Sequence, residues 1–396
     1  MHSIHILILA ALPALAQDMP MPMPMHHHHS NFAGNLLMNQ ASGTSLNPSE
    51  WRMPMWMSQA GSWNLMLMGD AFVVDTQQSG PRGGDKLYST SMFMVGAEHA
   101  VGRGSIMVET MLSLEPLTVA DRRYPLLFQT GETAYGRPLV DAQHPHNFVM
   151  DLGIHYARPV GAAVVQFYYA PVGDPALGPV AYPHRASAAE LPQAPIGHHW
   201  QDSTHIATNV VTAAVRYRML RVEASGFHGA EPGENRWTIN WGGVDSWSTR
   251  FSLMPTGNWL LQVAQGRLAD PERTHAGTVQ RTTASAHYTR GMWSSSFVWG
   301  RSAELNSWLA ETVAGAGRKN WVTGRFELVD KDELSVAGVW RIAAYTAGYT
   351  RDVAAWEHLV AGVGVNGSVY GIPAGLRGVY GERPAGVNFY LRLRVK

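Results

Sequence analysis

From Ser62 to the C-terminus the chain keeps a period of two, and no other feature restricts its fold as tightly. Leu65, Leu67, Ala71 and Val73 alternate with Asn64, Met66, Met68 and Asp70. Phe93, Val95 and Ala97 alternate with Met92, Met94 and Glu98, and Val108, Thr110 and Leu112 with Met107, Glu109 and Met111. The same grammar sets Leu220, Val222 and Ala224 against Arg221, Glu223 and Ser225, and Trp247, Phe251 and Leu253 against Ser248, Arg250 and Ser252. It returns at Trp293, Phe297 and Trp299 against Ser294, Ser296 and Gly300. The last instance sets Val387, Phe389, Leu391, Leu393 and Val395 against Asn388, Tyr390, Arg392 and Arg394. Successive side chains of a strand point to opposite faces, so each segment reads as a strand with one aliphatic or aromatic face and one polar face.

The connections sort into two kinds. Short ones fall near 99–103, 158–161, 218–220, 255–258, 290–292, 315–319 and 351–355. Between them lie mostly longer ones, near 75–88, 115–146, 171–203, 229–245, 268–279, 330–341 and 368–385, with one brief link at 302–304. This predicts sixteen strands, seven short turns and eight loops. Short and long connections in alternation around strands of about ten residues are the pattern of a closed antiparallel transmembrane β-barrel, with turns to the periplasm and loops outward. A soluble four-bladed propeller also has sixteen strands, but it requires a repeat of roughly 40 residues, and none is visible.

Composition agrees. Charged residues make up 15% of the chain, against roughly 25% in soluble domains. Lys+Arg and Asp+Glu balance at 30 each, so no basic field points to nucleic acid. There is no cysteine, which removes disulfides and thiolate metal sites. Residues 1–16 read as a secretory signal, apolar from Ile4 to Leu12 with a small-x-small close at Ala14-Leu15-Ala16, although Lys and Arg are missing from its start. No later stretch approaches the roughly 18 apolar residues of a membrane helix, so any span is built from strands. Residues 17–61 form a separate zone that begins DMPMPMPMHHHHS; proline at alternate positions favours extended geometry, and the zone reads as a flexible periplasmic tail. Residues 62–396 form the barrel.

The closing segment Gly386-Val-Asn-Phe389-Tyr-Leu391 resembles the Gly-x-x-aromatic-x-hydrophobic signal near the end of outer-membrane barrels, although the chain ends in Val395-Lys396 and not in an aromatic residue. The stretches SGPRGGDK (79–86), QTGETAYGRPLVDAQHPHNF (129–148), APVGDPALGP-AYPHRAS (170–187) and GHHWQDSTHI (197–206) resemble a family of uncharacterised bacterial outer-membrane proteins. That resemblance covers most of the chain after Gly43 and implies a location and a fold, the bacterial outer membrane and a β-barrel, without an activity. The Met/His-rich tail is similar in style to the outer-membrane copper-resistance protein CopB, by composition alone.

Histidine carries most of the functional signal. His144, His146, His184, His198, His199 and His205 fall in or beside two outer loops, with Asp141 and Asp202 among them, and His228 tops the next strand. Imidazole and carboxylate suit divalent zinc, copper or nickel, so His144, His146, His198, His199, His205, Asp141 and Asp202 are candidate ligands. The competing reading is a hydrogen-bonded polar plug at the barrel mouth. The stretch Glu132–Tyr156 links this loop to a strand expected to set Phe148, Met150, Leu152, Ile154 and Tyr156 against Asp151, Gly153 and His155. In the tail, Met19, Met21, Met23 and Met25 offer thioethers that prefer Cu(I), and His26, His27, His28 and His29 offer imidazoles for Cu(II) or Zn(II).

The strand parity places Met66, Met68, Met92, Met94, Met107 and Met111 on one sector of the lumen with Glu98 and Glu109. This sector either passes a soft metal or is apolar filler behind a folded-in loop or the tail. The opposite sector carries Arg216, Arg218, Arg221, Arg250, Arg325, Arg392 and Arg394 with Glu223 and Glu327, which reads either as a selectivity lining or as salt-bridged structure. Catalysis is not expected: Ser203, His205 and Asp202 have the residue types of a triad, but no GxSxG is present. The expectation is a pore or transporter for copper, zinc or another soft or divalent ion, constricted by loops 115–146 and 171–203. Lipid is its surrounding partner, and a general porin or a loop-mediated binding protein with no metal role is the alternative.

Overall fold

The computed structural model describes residues 31–274 and 277–396, except the side chain of Ser203. The N-terminal strands are β1 (Trp56–Ala60), β2 (Trp63–Gln78), β3 (Gly84–Val101) and β4 (Gly104–Leu112). A hairpin of β5 (Tyr124–Ala134) and β6 (Arg137–Gln143) follows, then β7 (Val149–Val160), β8 (Ala163–Gly173), β9 (Ala207–Tyr217) and β10 (Leu220–His228). The chain continues through β11 (Ser246–Leu253), β12 (Trp259–Ala269), β13 (Thr278–Arg290), β14 (Trp293–Ser302) and β15 (Leu305–Gly315). It closes with β16 (Asn320–Lys331), β17 (Trp340–Ala355), β18 (Leu359–Gly371) and β19 (Ala385–Val395).

Sixteen of these strands pair antiparallel in sequence order, β4 joining β7 across the hairpin, and β19 returns to β2 with Arg394 opposite Asp70. The ring is closed, so its backbone groups are hydrogen-bonded without help from solvent, as lipid demands. Among the described residues no helix is long and apolar enough to cross a membrane. β1 pairs with the start of β2, filling the edge that β19 leaves below Arg394.

The outward face carries Val95, Val108, Ile154, Val211, Val263, Phe297 and Leu391, all exposed. Trp63, Tyr217, Trp259, Trp293 and Trp356 stand exposed at the turn end, and Trp247 at the loop end, as the interfacial girdles of a membrane barrel do. Parity is as the alternation predicts, with two differences. A register shift between Met111 and Leu112 turns Met150 inward, where it is 2% exposed, because the bulge adds one residue to the β7 side. Phe148 does not face lipid: it packs on Trp237 of the fourth outer loop at 5.2 Å. The expected loop at 75–88 shrinks to 79–83, since the inward row continues through Thr76 and Gln78 while β2 stays paired with β3.

The lumen is filled. The described part of the 17–61 zone is not a free tail. Helix α1 (Phe32–Met38), capped by Asn31, whose side chain accepts from the Gly34 amide, buries Ala33, Gly34, Leu37 and Met38. A seven-residue helix has no stability alone, so the methionine sector that receives it supplies the stabilisation. Leu37 and Met38 join Met66, Met68, Met92, Met94, Met107 and Met111 in one apolar cluster. A methyl group at Gly34 would collide with the Glu98 carboxylate. The segment then bridges Gln40 to Leu46 and leaves at the turn end, where the Glu50 amide bonds the Gly257 carbonyl. The methionines are therefore packing surface behind an inserted segment in this structure, not the wall of an open passage.

The third outer loop, 174–206, is buried almost throughout and lies against the arginine sector. Arg185 bonds Glu311 and Asp202, Glu190 pairs with Arg392 and Arg394, and Arg325 donates to the Gln193 carbonyl. Arg250 pairs with Glu223 and donates to the Gly178 carbonyl, while Arg221 reaches the Thr44 carbonyl. Arg216 faces inward at the turn end but is only half-buried, and Arg218 sits exposed in the turn itself. The second loop, 113–148, holds α2 (Glu115–Thr118) and the β5–β6 hairpin as a cap, anchored where Phe128 stacks on Tyr380 and packs at a tilt against Tyr370.

Candidate metal centre

Between the hairpin cap and the inserted third loop, six histidines are buried together. His144 follows β6 and precedes Pro145, which holds it extended. His198 and His199 open the single-turn helix α3 (His198–Gln201) of the third loop. Ring centroids lie 4.3 Å apart for His198 and His199, 5.8 Å for His144 and His199, and 6.1 Å for His144 and His198. One ligand nitrogen from each of the three falls within 4.8 Å of the others. A tetrahedral ion with bonds of about 2.0–2.1 Å holds its nitrogens about 3.3 Å apart, so modest rotamer adjustment closes the set.

The surroundings are acidic. His199 Nδ1 lies 3.4 Å from Glu231 and 3.5 Å from Glu272, in the fourth and fifth outer loops. His198 Nε2 is 3.3 Å from the Gln143 side-chain oxygen, and its Nδ1 is 3.6 Å from Asp202. His144 is held in an informative way. Its Nδ1 faces the Pro145 carbonyl at 3.1 Å, which makes that nitrogen the N–H donor. Its Nε2, left as a lone pair, faces the Glu132 carboxylate at 3.1 Å. The same carboxylate is paired with Arg236, so its charge is shared between that guanidinium and whatever His144 Nε2 carries.

Protons alone are distributed unevenly here. Burial, then His199 and His198, push His144 well below the ordinary histidine range. Burial and His199 push His198 down to about 3. Burial also opposes the charge on His199, but Glu231 and Glu272 outweigh it and hold the imidazole up to about 10. A site that keeps one positive charge between neutral imidazoles and carboxylates is chemically suited to exchanging that proton for a divalent ion.

The other sequence candidates separate. His146 and His205 are adjacent, with rings 5.6 Å apart, but belong to a second cluster with His184. His146 Nδ1 is 2.8 Å from Glu115, whose charge overcomes burial and raises the imidazole. Asp202 lies beside the triad as a partner of His198 and Arg185. Asp141 does not join it: bonds to Arg82 at 2.8 Å, the Phe128 amide at 2.9 Å and Tyr380 at 3.2 Å make it a brace of the hairpin. His228 pairs with Asp245 outside the cluster. Met19, Met21, Met23, Met25 and His26, His27, His28 and His29 lie outside the described residues. Sequence reasoning passed over Glu132, Glu231 and Glu272. Glu132 stood within the same polar loop, but no spacing rule connects residue 199 to 231 and 272; only barrel closure does.

Fold and site together define a sixteen-stranded transmembrane β-barrel of the bacterial outer-membrane kind, with its mouth folded inward around buried histidines. No protein-family model and no curated protein matches the sequence. Solved outer-membrane barrels match the fold. OmpF of Salmonella typhi, in complex with daunomycin, is similar at TM-score 0.53 and 9% identity, over 85% of this chain and 100% of that one. The outer-membrane channel DcaP of Acinetobacter baumannii gives 0.52 and 7%, over 85% and 99%. The anion-selective porin of Comamonas acidovorans gives 0.51 and 12%, over 84% and 99%.

Proposed function

We propose that this barrel is an outer-membrane transport protein for a divalent transition-metal ion, received at its mouth by His144, His198 and His199 with Glu231 and Glu272 alongside. The observation that carries the reading is the triad itself, three buried imidazoles drawn from two separate loops with a ligand nitrogen of each within 4.8 Å of the others, and with His144 Nε2 turned to the Glu132 carboxylate. Zinc, copper and nickel of borderline softness fit the imidazole and carboxylate donors. A permanently open, anion-selecting pore fits less well, because Arg250, Arg325 and Arg392 are each neutralised by a carboxylate and covered by the third loop.

The test is a Co(II) titration of the full-length protein in detergent, read by visible absorption. The expected spectrum has tetrahedral intensity, and the double change His144→Ala with His199→Ala removes one equivalent while the barrel keeps its heat-modifiable gel mobility. An unchanged Co(II) stoichiometry in the double variant contradicts the assignment and leaves a general porin as the better reading.

A further inference from the structure

Below the triad, the third loop brings His184 against the methionine sector. Its Nε2 lies 3.1 Å from the Met111 sulfur. An ion bonded to nitrogen at about 2.0 Å and to sulfur at about 2.3 Å holds the two about 3.5 Å apart at the tetrahedral angle, and farther at the wider angles of low-coordinate soft ions. The two atoms are thus adjacent, and a rotamer change that opens them by about 0.4 Å or more lets them share an ion.

The neighbouring imidazole is prepared in the same sense. His205 Nδ1 faces the Asp202 carbonyl at 2.9 Å, which fixes that nitrogen as the donor, and its Nε2 is a buried lone pair with no hydrogen-bond partner among the described residues. His184 is 7% exposed, Met111 1% and His205 7%, so water does not satisfy them.

We infer that His184 and Met111, with His205 beside them, form a second metal site, selective for a soft monovalent ion of the Cu(I) or Ag(I) class. The chemistry argues for softness twice. Thioether sulfur prefers Cu(I) and Ag(I) to zinc or nickel. The site also borders the apolar methionine cluster, where a divalent charge on neutral ligands carries a heavier desolvation cost than a single one. An N–H···S hydrogen bond between His184 and Met111 is the rival account, and it predicts no bound ion.

Ag(I) is the probe, since it needs no reductant. Crystals of the full chain soaked in silver nitrate without chloride are expected to show an anomalous peak within bonding distance of His184 Nε2 and Met111 Sδ. In parallel, Met111→Leu, which keeps the shape but removes the sulfur, is expected to lose one equivalent of Ag(I) by calorimetry while retaining its Co(II) spectrum. The converse holds for the His144→Ala and His199→Ala pair, which keeps the silver peak, so the two sites fail separately. No silver at this position, or equal Ag(I) stoichiometry in Met111→Leu and wild type, overturns the inference; a peak confined to other methionines does the same.

Discussion

At the scale of single residues, the site depends on close approaches that leave no slack. Gly131 has φ +96° and presses directly on the His199 ring, so a Cβ there would meet the imidazole and strain the backbone together. Gly131→Ala is therefore expected to displace His199 and weaken Co(II) binding about tenfold or more, which corresponds to about 1.4 kcal/mol. Heat-modifiable mobility should be unchanged, because the hairpin lies above the barrel wall. Equal Co(II) affinity in this variant would mean that His199 is not a ligand. Glu132 acts on the other side of the triad, where it faces His144 and pairs with Arg236. The histidine clustering was visible in the sequence because His144, His146, His198 and His199 sit within two short stretches. The carboxylates that border the cluster were not, because Glu231 and Glu272 arrive from loops that only the closed ring brings near.

At the scale of elements, the two inserted segments distinguish this barrel from a plain pore. The third loop is tied to the wall by buried ion pairs, and Glu190 holds two of them, with Arg392 and Arg394. Removing one partner from a buried pair typically costs about 3–5 kcal/mol. Because Asp352 and Asp70 still serve those arginines, Glu190→Gln is expected near the lower end. The effect should appear as faster proteolysis within 174–206 and higher single-channel conductance in planar bilayers; unchanged conductance and cleavage would show that the loop is held by other contacts. The strands were legible from their period, and six of the seven turns fall at or within a residue or two of the short connections; the last lies at 356–358, because β17 runs through the expected 351–355 to Ala355. Helix α1 was not, since a Ser/Asn/Gly-rich run around FAGNLLM has too little helix signal of its own and is held only by the methionines it meets. Met150 escaped for a related reason: a bulge breaks the period locally, and nothing in the flanking residues announces it.

At the scale of the whole molecule, the barrel presents an apolar outer belt and a polar, charge-paired interior, which inverts the usual arrangement of a soluble protein. Leu391 stands 58% exposed on that belt in β19. Leu391→Arg is expected to destabilise the lipid-embedded barrel by about 2–4 kcal/mol, measured by denaturant unfolding in vesicles. The adjacent inward position, Arg392, is a partner of Glu190, so the same charge one residue along is stabilised. A neutral result for Leu391→Arg would contradict the membrane face assigned here.

The central claim, that the inward-folded mouth holds a divalent metal on His144, His198 and His199, is tested most directly by zinc-edge anomalous diffraction from crystals of the full chain grown with zinc. The account predicts a peak bonded to those three imidazoles at about 2.0–2.1 Å, and its loss in the His144→Ala and His199→Ala pair. Crystals that bind zinc elsewhere and leave the triad unchanged from this structure would contradict it.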